Sequence, residues 1–77
     1  MPRYYTHLEN SFGSLPDRTG AIFETDDAAV AEAARTAGEL VKEDFVAGRL
    51  AVPIVLTIEQ EDRVRVAQLR VSISLDR

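Results

Sequence analysis

The stretch TDDAAVAEAARTAGELVKEDFVAG, residues 25–48, decides the fold. Val30, Ala33, Ala34, Ala37, Leu40, Val41 and Phe45 recur at three- and four-residue intervals, which sets them on one face of an α-helix. Thr25 is the expected N-cap, and Asp26 and Asp27 suit the positive end of the helix dipole. Gly48 is the expected C′ residue, where the chain turns through positive φ. A helix over 26–47 would run about 33 Å and cross a domain of this size completely. Its alanine-rich first half can lie close to a sheet, while Leu40, Val41 and Phe45 fill a deeper region. Gly38 is its weakest point, where a bend is expected.

Strands flank the helix. Residues 3–9 carry Tyr4, Tyr5, Thr6 and Leu8 with no breaker among them. Residues 10–20 are rich in turn formers (Asn10, Ser11, Gly13, Ser14, Pro16, Asp17, Gly20) and read as a hairpin loop with Phe12 and Leu15 tucked beneath it. Residues 21–24 form a short second strand, with Ile22 and Phe23 as its apolar pair. After the helix, residues 52–60 alternate: Val52, Ile54, Leu56 and Ile58 face one way, Pro53, Val55, Thr57 and Glu59 the other. Pro53 marks an edge or a strand start. Glu61-Asp62 is the turn into a last strand over 63–75. There Val64 and Val66 are even-numbered, whereas Leu69, Val71, Ile73 and Leu75 are odd. Both sets face inward only with an extra residue, so a β-bulge is expected near Ala67-Gln68. The fold class is therefore α+β: a two-layer sandwich, ββαββ, with one long helix on one face of an antiparallel sheet. The other face is polar, with Glu59, Arg65, Gln68, Arg70 and Ser72.

The 77 residues allow a single domain over 1–77. A compact chain of that length has a radius of gyration of about 11–12 Å. The 45% hydrophobic content makes it globular rather than disordered. It has no cysteine and His7 is its only histidine, so neither a disulfide nor a zinc site is expected to staple the core. Cores this small supply only ~3–5 kcal/mol, which makes a homodimer a natural way to bury more surface. No apolar run reaches the ~20 residues that span a bilayer, and Met1 to Tyr5 lack a signal-peptide stretch, so the expectation is cytoplasmic, with no membrane partner. The net charge of −4 weighs against tight phosphate binding by the whole molecule.

The opening Met1-Pro2-Arg3-Tyr4-Tyr5-Thr6-His7-Leu8, the pair Asp17 and Gly20, and Ala28-Ala29 followed by Ala31-Glu32-Ala33 resemble a small bacterial domain family of unknown function. The resemblance covers most of the chain. It implies a fold and a bacterial origin, and it implies no activity. Two positions depart from the family pattern. Thr6 stands where an aromatic is common, which bears on packing, and Arg63 stands where the final turn usually has glycine, which bears on the turn type.

No motif demands a particular chemistry. Tyr5, His7 and Glu9 share one face of an extended strand, and a histidine–carboxylate pair can do acid–base work. No nucleophile accompanies them, so a polar pair on a wet face is the simpler reading. Glu59, Glu61 and Asp62 lack the spacing and glycine of a calcium loop. Ser11, Gly13, Ser14 and Gly20 lack the lysine and the strand–loop–helix order of a phosphate loop. No catalytic residue, cofactor or metal is expected. Charge is segregated: Asp26, Asp27, Glu32, Glu39, Glu43 and Asp44 lie along the helix against Arg35 and Lys42, and Arg63, Arg65, Arg70 and Arg77 lie in the last strand.

The expected function is a non-enzymatic protein-interaction or structural module that self-associates, with a free sheet edge open to a protein partner. The alternative is nucleic-acid binding by an exposed face carrying Tyr5, His7, Arg65 and Arg70, where aromatics stack on bases and arginines hold the backbone. Those four residues are the candidate partner surface, whereas a dimer would form by edge pairing or by burying apolar residues left beside the helix.

Overall fold

The computed structural model describes residues 2–10, 13–48 and 53–72. Phe12, Val52, Ile73, Leu75 and Arg77 lie outside the described residues, as does the side chain of Phe45. The elements are β1 (Arg3–Asn10), β2 (Gly13–Leu15), β3 (Ala21–Ile22), α1 (Asp26–Val46), β4 (Ile54–Gln60) and β5 (Arg65–Val71). The strands form one antiparallel sheet in the order β2-β1-β4-β5, and β3 pairs with β1 on the same side as β2. One helix on one face of this sheet is the expected α+β pair of layers. The ββαββ order gains a strand: Gly13–Leu15 pairs with Leu8–Asn10 inside what reads as loop. Long-range pairing outweighs the poor strand propensity of Gly13 and Ser14. The second strand is shorter than expected and leaves Phe23 just outside it.

Central strand β4 organises the core. Ile54, Leu56 and Ile58 are buried in strict alternation, as the sequence pattern requires. Ala29, Ala33 and Ala37, each four residues after the last, are the buried row of α1. The helix packs over β4 and β5. Ala34, expected on the buried stripe, is exposed, and Ala29 takes its place. With alanine at 28, 29, 31, 33, 34 and 37, hydrophobicity alone cannot set the helix rotation. The Thr25 hydroxyl accepts from the Ala28 amide at 3.1 Å, and Gly48 turns the chain at φ 82°, so both caps are where expected. The helix runs unbroken through Gly38.

Tyr4 ties the layers together. It is 2% exposed, and its hydroxyl donates to Asp26 Oδ1 at 2.6 Å. Its ring meets Phe23 edge-on, with centroids 5.9 Å apart. The bond to Asp26, burial and the charge of Asp26 hold the phenol above its usual range, against a smaller opposing effect of Gln60.

The bulge is present but sits just before the expected pair. Ile58 is opposite Ala67 and Glu59 is opposite Arg65, so Val66 is the extra residue. The turn is also longer than Glu61-Asp62. Gln60 N donates to Val64 O at 3.1 Å and Arg63 N to Gln60 O at 2.9 Å, which closes a three-residue loop over 61–63. Such loops end in a left-handed residue, and Arg63 has φ 66°.

The radius of gyration is 13.3 Å and the extents are 46 × 22 × 16 Å. The chain is a slab, not a sphere, so the helix, about 32 Å long, does not span the long axis. Leu15, expected beneath the loop, is 68% exposed. No described helix is long and apolar enough to cross a membrane.

Arg63→Gly should raise stability by about 0.5–1 kcal/mol. A left-handed non-glycine residue costs about 1–2 kcal/mol, which outweighs an exposed arginine's ring and ion-pair contacts of under ~1 kcal/mol. A raised urea midpoint at unchanged slope checks it.

Candidate functional site

The strand register puts the four candidate residues on the face away from the helix. Tyr5 aligns with Glu59 and Arg65, His7 with Thr57 and Gln68, and Glu9 with Val55 and Arg70. Strand β4 lies between the tyrosine–histidine pair and the arginines, so about 10 Å separates the two sets. The set shares a face without forming a cluster.

Each aromatic member is already engaged. The Arg63 guanidinium covers one face of the Tyr5 ring, 4.8 Å from its centroid. His7 Nε2 is 2.7 Å from Glu59 Oε1, and His7 Nδ1 accepts from the Asp17 amide at 3.0 Å. An Nδ1 that accepts leaves the proton on Nε2, where it is donated to Glu59. The partner of His7 is therefore Glu59 on the neighbouring strand, not Glu9. That diagonal pairing depends on register, which a single strand's sequence does not carry. With both ring nitrogens held, His7 is part of a structural network. The acidic tip is also committed: Glu61 accepts from the Arg3 amide at 3.2 Å and Asp62 from the Val64 amide at 3.0 Å. Among the described residues no group of three or more acidic or histidine side chains could hold a metal ion.

The residue that sequence reading passed over is Asp17. Strands β2 and β3 pair with the two ends of β1's outer edge and leave its middle without a strand. Asp17 fills that gap. Its Oδ2 accepts from the Thr6 amide at 3.1 Å, and its Oδ1 accepts from the Thr19 and Gly20 amides at 3.0 and 2.9 Å. Burial pushes this carboxyl up, but the three amides outweigh it and hold the group below the usual carboxylate range. Gly20 completes the clasp at φ 72°, where an added Cβ would lie 2.9 Å from Tyr4 O and from Tyr5 Cε1. The spacing of Asp17 and Gly20 carries the signal, which the sequence presents as turn chemistry and as part of the family resemblance.

The clasp builds one wall of an open apolar groove of about 760 Å³ on the helix side of β1. Leu8, Leu15, Pro16, Phe23, Leu40 and Leu56 line it, with Arg18 and Glu32 among its charged residues. The groove exists because α1 lies over β4 and β5 and leaves the inner face of β1 to one side. Thr6 faces into it, so a small side chain stands where an aromatic ring would fill the space.

The chain belongs to a family described as a domain of unknown function, DUF6894, which matches residues 3–72. No curated protein and no solved structure matches it.

Gly20→Ala should cost at least about 1–2 kcal/mol from its backbone conformation alone, a large share of a small core's stability, as read by thermal unfolding. Asp17 should make stability pH-dependent. A lowered folded pKa gives stability that is present above the usual carboxylate range and lost as pH falls through the lowered value. Asp17→Asn should flatten that acid limb and still destabilise, since one amide oxygen cannot serve both Thr6 and the Thr19–Gly20 pair. Denaturant melts across acid pH check both.

Proposed function

We propose that this domain is a non-catalytic protein-interaction module that pairs with a second copy of itself through the open groove. The groove is the observation that carries this reading. It is large and apolar, and Leu15 stands exposed at its side. A two-fold interface uses the same patch on both copies, so the patch must complement itself. Leu15 is a knob beside a cavity, and Arg18 and the Arg35-paired Glu32 put both signs of charge along it. Burying one leucine on each copy contributes about 1.5–3 kcal/mol per side chain, comparable to the whole stability of a core this small. The nucleic-acid alternative is less supported, because Tyr5 lies under Arg63 and Glu59 sits between the aromatics and Arg65.

Sedimentation equilibrium from low to high micromolar protein should show a reversible dimer. Leu15→Glu and Thr6→Phe should each give a monomer with unchanged circular dichroism, the first by charging the knob and the second by filling the cavity. A wild-type monomer across the range, or variants that still dimerise, would contradict the proposal.

A further inference from the structure

A second surface differs from the groove in both position and charge. Among the described residues, strand β5 is hydrogen-bonded to β4 on one side and no strand lies along its other side. Its polar face carries Arg65, Gln68 and Arg70. Arg65 stands opposite Glu59, but that carboxylate is taken by His7 at 2.7 Å and approached by Arg63 at 4.0 Å. The Arg65 guanidinium has no hydrogen-bond or ion-pair partner among the described residues. Among the described residues, Arg70 donates only to Gln68 Oε1, at 3.1 Å. Two guanidiniums thus lie along an open edge with no carboxylate paired to them among the described residues, in a chain whose net charge is −4.

We propose that the β5 edge binds an extended acidic segment of another protein as an added strand. Main-chain bonds along a free edge give affinity, and side chains at alternate positions give specificity. The occupant is not a second copy. Antiparallel pairing of β5 with itself would bring arginines against arginines, and like charges directly opposite are destabilising. The groove accepts both signs, whereas this edge offers one.

The bulge sets the spacing of the recognised residues. Arg65 and Arg70 are five apart in sequence, yet their partners on regular strand β4, Glu59 and Val55, are four apart. Val66 is absorbed by the bulge, which keeps both arginines on one face. A regular strand added on the other side meets the same geometry. It should carry carboxylates at positions i and i+4, both turned away from the helix. An edge guarded by arginines purely against aggregation is the competing reading, and it requires no such spacing.

The test titrates the ¹⁵N-labelled full chain with the blocked peptide Thr-Glu-Val-Thr-Val-Glu-Thr, whose glutamates are four apart. The control peptide, Thr-Glu-Val-Thr-Glu-Val-Thr, sets them three apart, on opposite faces. The first should shift the amides of residues 65–71 and leave the groove amides of Leu8 and Leu15 unmoved. Its affinity should fall with salt, and the control should bind about two- to fivefold more weakly. The double variant R65E/R70E should lose the acidic peptide and gain its lysine counterpart. The proposal is overturned if the peptides bind equally, if shifts map to the groove, if charge reversal changes nothing, or if millimolar peptide shifts no amide. Because groove and edge amides report separately, this outcome is independent of dimerisation.

Discussion

The structure depends on one carboxylate in a gap. Strand β1 is paired along one side by β4, but its other side is served by two short strands with a loop between them. Backbone amides left in such a gap need an acceptor, because an unpaired one loses about the worth of a hydrogen bond. Asp17 supplies it, accepting from Thr6 on the strand and from Thr19 and Gly20 on the loop. Its own amide donates to His7, which donates onward to Glu59 on β4. One chain of hydrogen bonds thus runs from the loop through β1 to the central strand.

Two surfaces follow from that arrangement. The helix covers β4 and β5, so β1 presents its inner face to one side of it. The clasped loop then converts an uncovered apolar face into a groove with a wall. On the far side of the sheet, β5 is left as an arginine-bearing edge. The two surfaces differ in the charge they present, one mixed and one basic. His7 and Tyr5, the most chemically suggestive residues in the sequence, belong to neither surface. Their side chains hold the sheet's polar face together.

The elements legible in the sequence were those set by local periodicity. The α1 limits, the Thr25 cap, the Gly48 turn and the alternation of β4 each depend on residues within a few positions of one another. The register change in the last strand was legible for the same reason, to within two residues. The glycine-like demand at Arg63 was legible only through the family resemblance, and φ 66° supplies its cause. What escaped was what depends on rotation or register. Ala29 and Ala34 are interchangeable by hydropathy, and only the packing of α1 on β4 chooses between them. The partners of His7 and Asp17 lie across strands and loops, 52 residues away for Glu59. The strand β2 exists by pairing, not by propensity.

Amide hydrogen exchange reads the clasp itself, because the clasp is made of particular backbone amides. Thr6, Thr19 and Gly20 lie outside any strand pairing on that side, so without Asp17 they would exchange as loop amides do. With Asp17 in place their protection should match that of the amides linking β1 and β4, and it should be abolished in Asp17→Ala while β4 and β5 stay protected. Rapid exchange at these three amides in the unaltered chain would contradict it.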